Sequence, residues 1–167
     1  MSTDRQEILN HREIQHKIRR IAYQIYESNV DEKHLILAGV ADNAYRLAQK
    51  LKSQLEKISE IEITLCKVTI DKKNPLNAID TTLKSSDYEG QSVVLVDDVL
   101  NSGSTLIYGV KHFLDVPLKQ FKTAVLVNRN HKKFPVKADF KGISLSTSLN
   151  EHVEVVLKGK NHHVVLA

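Results

Sequence analysis

Two adjacent carboxylates followed by a short, hydroxyl-rich turn are the residues of this chain best suited to chemistry. Asp97 and Asp98 follow the apolar run at residues 93–96, and the turn at residues 101–105 opens a helical pattern. Unpaired backbone N–H groups and the helix dipole favour a phosphate group at a helix N-terminus. Carboxylates accept hydrogen bonds from vicinal hydroxyls, so a ribose that carries a 5′-phosphate meets both demands.

The residues of this turn have distinct uses. Gly103 permits tight curvature and close approach of a ligand to the backbone. The hydroxyls of Ser102, Ser104 and Thr105 can donate hydrogen bonds to phosphate oxygens. A purely structural alternative is a turn in which Asn101 or Ser102 caps the helix. Two consecutive acids after a buried strand favour the functional interpretation, because an unpaired buried carboxylate is costly.

The elements that must position this motif alternate between helical and strand-like patterns. Apolar residues recur at helical spacing over residues 14–25 and 44–58, and a further helix is predicted at 103–114. Three short apolar runs predict buried strands, residues 34–39, 92–96 and 121–127, and residues 61–68 predict a further strand. This alternation predicts an α/β fold, a three-layer sandwich whose mostly parallel, twisted sheet has helices on both faces.

The rest of the chain is expected to complete a single domain over residues 1–167. Residues 69–90 are polar and predict a flexible loop with little core of its own. Residues 137–167 alternate short β-like runs, such as 153–157 and 164–166. A hydrophobic fraction of 41% and a charged fraction of 26% are ordinary globular values.

The composition predicts a cytoplasmic protein. No stretch approaches the ~20 apolar residues of a membrane span, and the first residues are polar, without an apolar signal region behind them. The lone cysteine, Cys66, excludes an intramolecular disulfide framework, which fits a reducing compartment. The net charge of +4 suits a protein that handles phosphates but does not by itself indicate nucleic acid.

The run from Val94 to Thr105 resembles the phosphoribosyl-pyrophosphate fingerprint of type I phosphoribosyltransferases. Over nearly its whole length the chain is most similar to the bacterial pyrimidine operon attenuation regulators that also act as uracil phosphoribosyltransferases. The similarity includes five runs: residues 18–22, 35–40, 97–100, 124–131 and 135–140. This resemblance implies the type I phosphoribosyltransferase fold, with a small hood from about residue 130 to residue 167.

The resemblance implies transfer of the 5-phosphoribosyl group from phosphoribosyl pyrophosphate to a nucleobase, with uracil as the expected base and pyrophosphate as the product. Asp97 and Asp98 would hold the ribose hydroxyls directly or through Mg²⁺, and Asn101 would complete the catalytic set. The remaining residues of the turn would cradle the 5′-phosphate: Ser102, Gly103, Ser104 and Thr105. Use of a purine instead of a pyrimidine stays open, because the two share the sugar site.

The hood residues implied to bind the base are Ala138, Phe140 and Lys141. Phe140 matches the position at which the family stacks an aromatic ring on the base, and backbone groups of the other two would contact its edge. A core aromatic is an equally open interpretation of Phe140.

The first loop departs from the family pattern. Four residues match the loop expected to bind pyrophosphate: Val40, Ala41, Asp42 and Asn43. Both expected cations are absent, and Asp42 would repel pyrophosphate unless a metal ion intervened. Ser104 also stands where the family has arginine, and Lys67 where it has arginine followed by acids. These losses motivate an alternative function, a catalytically weakened regulator that senses a nucleotide or phosphoribosyl pyrophosphate.

The resemblance also implies messenger RNA binding and homo-oligomers. The basic residues in comparable stretches are Arg19, Arg20, Arg129, His131, Lys132, Lys133 and Lys137. Charges on one face can hold RNA phosphates in a salt-dependent way. Base recognition in RNA also uses stacking, however, and the aromatic content is only 5%. Solvated lysines on a mildly basic enzyme therefore remain an equally open interpretation.

Overall fold

The computed structural model describes residues 5–147 and 151–167. Its helices are α1 (His11–Glu27), α2 (Ala41–Ile58), α3 (Ser85–Tyr88) and α4 (Ser104–Phe113). Its strands are β1 (Gln6–Leu9), β2 (His34–Val40), β3 (Glu62–Thr69), β4 (Asp80–Thr81), β5 (Ser92–Leu100), β6 (Gln120–Arg129), β7 (Phe140–Leu145), β8 (Val153–Val156) and β9 (His163–Leu166).

A six-stranded sheet forms the centre of the fold, in the order β4-β3-β2-β5-β6-β7. Strand β2 pairs in parallel with β3 and β5, and β5 and β6 continue the parallel pattern to β7. Only β4 runs antiparallel to its neighbour, β3. The predicted mostly parallel sheet is therefore confirmed, and the carboxyl ends of its parallel strands open at one edge, where ligands bind in such folds.

Hydrophobic cores cover both faces of this sheet, which gives the predicted three layers. One core contains α1 and α2, and the predicted apolar face of α1 is fully buried in it: Ile14, Ile18, Ile21, Ala22 and Ile25. The other contains residues of α4 and α3, among them Leu106, Phe113 and Tyr88. Helix α1 starts at a capping box, because Asn10 Oδ1 accepts from the N–H of Glu13 and the Glu13 carboxylate accepts from the N–H of Asn10.

A second sheet of three antiparallel strands, in the order β1-β9-β8, lies beside the first. Its composition corrects the predicted hood of residues 130–167. Strand β7 belongs to the central sheet, where Phe140 pairs with Ala124. The N-terminal strand β1 joins the small sheet instead, although in sequence it is a polar stretch in which only Leu9 is buried.

The segment at residues 69–90 contains short elements of its own. Strand β4 pairs with the end of β3, and helix α3 places Tyr88 against the ring of Phe113, with ring centroids 4.8 Å apart. The segment therefore contributes two buried residues, Ile70 and Tyr88, to the core that contains Phe113. Its flexibility stays a prediction. In the part of the chain described, none of the helices combines the length and the apolar character of a membrane span.

Candidate functional site

The two acids lie within the last part of β5, not beyond its end. Pairing with β6 continues past them, from Asp97 opposite Val125 to Leu100 opposite Asn128. The sequence interpretation ended the strand at residue 96, because it followed the loss of apolar side chains. The backbone stays extended because β6 runs beside it and supplies hydrogen-bond partners up to Leu100.

A cavity of about 390 Å³ opens beside these acids at the carboxyl edge of the sheet. It brings together the seven residues predicted to bind the phosphoribosyl group: Asp97, Asp98, Asn101, Ser102, Gly103, Ser104 and Thr105. Lys72 lines it from the segment before β4, and residues 152–155 line it from the small sheet. The turn at residues 101–105 therefore faces open space of a size that suits a small ligand.

Asp97 is almost fully buried, with 3% of its surface exposed. Its Oδ1 accepts a hydrogen bond from the backbone N–H of Asp98 at 2.9 Å. Burial, followed by the adjacent Asp98 carboxylate, raises the pKa of Asp97 well above its usual range, while Lys72 opposes the shift. A cation or a set of hydroxyl donors in the cavity would favour the ionised form of this acid.

Asp98 is partly buried and has a protein partner at each oxygen. Oδ1 accepts from the N–H of Val99 at 2.8 Å, and Oδ2 accepts from Nδ2 of Asn43 at 2.7 Å. The same Asn43 nitrogen donates to the carbonyl of Val155 in β8, at 2.9 Å. Asn43 therefore joins the first turn of α2 to both sheets, a contact that the sequence interpretation missed because its partners lie 55 and 112 residues away.

The turn itself is held by backbone geometry and not by a side-chain cap. Gly103 is the N-cap of α4 and has φ of +90°, in the left-handed region that favours glycine. The N–H of Ser104 donates to the hydroxyl of Ser102 at 3.2 Å. The N-cap is therefore Gly103 and neither Asn101 nor Ser102, although the Ser102 hydroxyl accepts from the first N–H of α4.

The basic loop after β6 docks on this turn. The N–H groups of Lys133 and Phe134 both donate to the carbonyl of Ser102, at 2.8 and 3.1 Å. A methyl group on Gly103 would lie 2.6 Å from Cγ1 of Val136. The turn and the loop therefore support each other, and close packing as well as positive φ requires glycine at residue 103.

A second cavity of about 420 Å³ adjoins the first and shares Asn101, Ser102 and His152 with it. Arg129 lines it but is buried, and it donates to Asn101 Oδ1 at 3.1 Å, to the hydroxyl of Thr147 and to the carbonyl of Glu151. His131 and Lys133 complete its basic lining, and a ring nitrogen of His131 hydrogen-bonds to the carbonyl of Thr147.

The residues of the predicted RNA-binding set therefore have different environments. Arg19 and Arg20 are exposed on α1, and Lys132, Lys133 and Lys137 are exposed in the loop after β6. Arg129 is instead buried and donates a hydrogen bond to Asn101, the first residue of the turn.

The residues matched to the pyrophosphate loop form the end of β2 and the first turn of α2. Val40 is the N-cap of α2, and Ala41 has φ of +56°, a conformation that is unfavourable for a residue with a side chain. Asp42 binds Lys67, with Nζ and Oδ1 2.6 Å apart. The hydrogen bond from Lys67 and its positive charge lower the pKa of Asp42, so this carboxylate stays ionised at neutral pH.

The residues predicted to bind the base do not line either cavity within the described chain. Phe140 is 9% exposed and packs in the core with α1 and α2, as the core alternative for this aromatic predicts. Ala138 packs against the opposite core, and Lys141 pairs with Val125 in the central sheet. Residues 152–155 face the acids instead, and their alternating apolar pattern was predicted only as a strand.

The sequence of the chain matches a known family along most of its length. Residues 4–158 match the family described as the phosphoribosyl transferase domain. "Bifunctional protein PyrR" of Fusobacterium nucleatum is 36% identical over 92% of this chain and 93% of its own length. The protein of that name from Listeria monocytogenes serotype 4a is 32% identical over 93% of this chain and 91% of its own.

Solved structures with the same fold carry phosphoribosyltransferase names. The hypoxanthine phosphoribosyltransferase of Trypanosoma cruzi has a TM-score of 0.76 and 19% identity, over 89% of this chain and 84% of that one. A hypoxanthine-guanine phosphoribosyltransferase of Bacillus anthracis has a TM-score of 0.71 and 20% identity, over 84% and 82%. From its fold, its acidic cavity and these matches, the chain belongs to the phosphoribosyl transferase domain family.

Proposed function

We propose that this protein transfers the 5-phosphoribosyl group from phosphoribosyl pyrophosphate to a nucleobase, uracil first among the candidates, and releases pyrophosphate. The observation that carries the proposal is one cavity that contains both the acidic pair and the turn at the start of α4. Ribose hydroxyls and a 5′-phosphate require these two kinds of group on opposite sides of a pentose.

Each part of the site has a role in this reaction. Asp97 and Asp98 accept hydrogen bonds from the ribose 2- and 3-hydroxyls. The N–H groups of residues 102–105, with the hydroxyls of Ser102, Ser104 and Thr105, hold the 5′-phosphate. Transfer at C1 develops positive charge on the sugar, so catalysis comes mainly from positioning and from the nearby carboxylates.

The acidic pair also fits Mg²⁺, which proteins bind through one or two carboxylates together with substrate phosphates. Asp97 and Asp98 are the residues that would hold it. The ion would neutralise charge on the leaving pyrophosphate. A metal near Asp97 would also favour its ionised form, against the burial that raises its pKa.

The base is expected to lie against β8. Val153 and Val155 line the cavity from that strand and offer an apolar surface to a flat ring. Uracil comes from the resemblance in sequence, whereas the names of the structural neighbours favour hypoxanthine or guanine for those proteins. Contact with Val153 and Val155 does not distinguish a pyrimidine from a purine.

A nucleobase panel with detection of released pyrophosphate tests this function. Uracil, hypoxanthine, guanine, adenine and orotate would each be incubated with phosphoribosyl pyrophosphate and Mg²⁺. We expect release with one base class and a loss of about 10²-fold or more in the Asp97→Asn, Asp98→Asn double variant. Absence of release with every base would reject the enzymatic proposal.

A second candidate is a regulator that binds the phosphoribosyl ligand with little turnover. The Asp42–Lys67 pair favours it, because the turn expected to bind pyrophosphate carries an acid in place of cations, and this acid already pairs with the nearby Lys67 of β3. Stabilisation of the protein against heat by a nucleotide, without pyrophosphate release, would distinguish it from the enzyme.

RNA binding by the exposed basic residues and homo-oligomer formation are further parts of the regulator proposal. A steep loss of RNA affinity between 50 and 200 mM salt, reduced in an Arg19→Gln, Arg20→Gln variant, would support RNA binding. Analytical ultracentrifugation over a range of protein concentrations tests the oligomer, and a monomer throughout would reject it.

A further inference from the structure

A single lysine lines the first cavity, of about 390 Å³, from outside the acidic strand and the turn. Lys72 shares this cavity with Ser104, Thr105 and Leu106 at the start of α4. Among the lining residues in the described part of the chain, it is the only lysine or arginine. The turn at residues 101–105 contains neither, so any fixed cation for a ligand at this turn must come from another element.

The backbone on both sides of Lys72 is anchored. Ile70 is buried, and a methyl group on Gly109 of α4 would lie 3.6 Å from its Cδ1. Oδ1 of Asp71 accepts from the N–H of Lys73 at 3.0 Å, and its carboxylate accepts two further hydrogen bonds within the same turn. Lys72 therefore follows a residue packed beside α4 and a residue that closes a turn, and its backbone is held near that helix.

The charges that line the first cavity are mostly negative. Asp97, Asp98 and Glu154 are its acids, and Glu154 lies 4.0 Å from Arg5 at an exposed position. A phosphate monoester carries close to two negative charges at neutral pH, so these carboxylates would repel it unless a cation lay near it. Lys72 already acts on one of them, because its positive charge opposes the rise in the pKa of Asp97.

The other cations near the turn are placed differently. Arg129 and Lys133 line the second cavity, and Arg46 on α2 lines neither. The guanidinium of Arg129 donates to neighbouring protein atoms, and His152 lines both cavities. The hydroxyl-bearing residues 104–105 line the first cavity and not the second. A phosphate bound by these hydroxyls therefore shares its cavity with Lys72.

We propose that Lys72 is a ligand-binding residue that pairs with the sugar 5′-phosphate at the start of α4. The inference rests on the proposed phosphoribosyl function of the same cavity. The N–H groups and hydroxyls of the turn supply neutral donors, and the segment between β3 and β4 supplies the positive charge. An ammonium group acts as a point charge on a flexible stem, so arginine can replace it here, whereas glutamine cannot.

The affinity for ribose 5-phosphate tests this role, because this ligand carries the sugar and the phosphate without a base. Isothermal titration would use the full chain with Mg²⁺ at about 150 mM salt. We expect Lys72→Gln to weaken binding by about fivefold or more and Lys72→Arg to restore most of the affinity. Lys73→Gln is the matched control, an adjacent exposed lysine that does not line the cavity, and it should weaken binding by less than about twofold.

A double-mutant cycle separates pairing with the phosphate from an effect through the acid. The loss caused by Lys72→Gln should persist in an Asp97→Asn background if the lysine contacts the ligand. A loss that disappears there would overturn the proposal, since Lys72 would then act only through Asp97. Because residue 72 is exposed, the Tm of its variants should match that of the natural sequence.

Three further results would contradict the pairing and leave the sugar site standing. They are equal losses in Lys72→Gln and Lys73→Gln, no better binding by Lys72→Arg than by Lys72→Gln, and a larger loss in Lys133→Gln, which would assign the phosphate to the second cavity. If ribose 5-phosphate does not bind to the natural sequence, the proposed function fails as well.

Discussion

A buried acid at residue 97 is costly to the folded chain and useful to the site. Desolvation, and then Asp98, raises the pKa of Asp97, so at neutral pH its ionised form opposes folding. An amide is nearly the same shape and keeps an oxygen that accepts from the N–H of Asp98. Stability and ligand binding are therefore expected to change in opposite directions when this residue is altered.

Asp97→Asn should raise the free energy of unfolding at pH 7 by more than the ~0.5 kcal/mol typical of neutral surface substitutions. The gain should shrink as pH falls toward 3.8, the ordinary value for the acid, because Asp97 is then protonated in both states. Urea unfolding at several pH values, with nucleotide titration beside it, measures both effects. A variant that is less stable at pH 7 but equally stable at pH 4 would contradict the assigned cost.

Gly103 tests how tightly the turn is built. Gly103→Ala should cost about 1–3 kcal/mol, because it adds positive-φ strain and drives a methyl group to 2.6 Å from Val136. Ligand affinity should fall with it, since the turn and the basic loop must separate. Gly90→Ala is the matched control, with φ of +71° but no atom within 4 Å of the added carbon. Equal thermal shifts for the two variants would mean that packing at residue 103 contributes nothing.

At the scale of single residues, local pattern revealed the acids and the turn but not their partners. Adjacent acids and small residues beside an apolar run are visible within a short window. Asn43 carries no such signal, because an amide at the start of a helix has many uses and its partners are distant in sequence. Phe140 shows the opposite problem, since a motif match and a core position look alike until burial is known.

Among the elements, the small sheet is joined to α1 through two histidines. Nδ1 of His162 accepts from the side-chain amide of Gln15 and Nε2 faces the carbonyl of Gly159, while the N–H of His162 donates to Nδ1 of His11. The two rings lie 4.7 Å apart between centroids. Nδ1 of His162 can accept the hydrogen bond from Gln15 only while its imidazole is neutral, so the joint depends on pH.

Stability should fall as pH drops through about 6.5. Burial is the main cause that lowers the pKa of His162, and the electrostatic effects of Lys50, His11 and His163 lower it further. The hydrogen bond to the carbonyl of Gly159 acts in the opposite direction. Because the unfolded state then binds more protons than the folded state, stability present above pH 6.5 is lost below it. Denaturant midpoints from pH 8 to 5 should show this slope, and His162→Gln should flatten it.

His16→Gln, at an exposed position on α1, is the control for this joint and should leave the slope in place. A slope unchanged in His162→Gln would assign the pH dependence to other groups.

Hydrophobic patterns predicted four strands of the central sheet, β2, β3, β5 and β6, but neither its outer strands, β4 and β7, nor the membership of the small sheet. Strand β1 was not predicted, because three of its four residues are at least partly exposed and give no alternation. Strand β7 was grouped with the short β-like runs of the predicted hood, although its backbone pairs with β6. Pairing between distant strands depends on backbone geometry that side-chain pattern does not encode.

For the molecule as a whole, the site depends on the approach of two sheets. The central sheet supplies the acids and the turn, and the small sheet supplies residues 152–155 as the opposite wall. The side chain of Asn43 connects the two sheets, because it donates to Asp98 in β5 and to the carbonyl of Val155 in β8. The family fold could be predicted from the fingerprint at residues 94–105. The position of residues 152–155 opposite the acids could not, because it depends on the pairing of β1, β8 and β9.

A ligand held between the sheets should therefore protect the small sheet more than the far edge of the central one. Hydrogen exchange with and without uridine 5′-monophosphate should slow at β8 and at residues 101–105, beyond any change at α3. At about 100 times Kd the ligand should add roughly 2.7 kcal/mol to the free energy of unfolding. A base that lies against Val153 and Val155 must restrict the opening of β8. Protection confined to residues 101–105, with β8 unchanged, would therefore mean that the central sheet alone binds the sugar and that residues 152–155 take no part in binding.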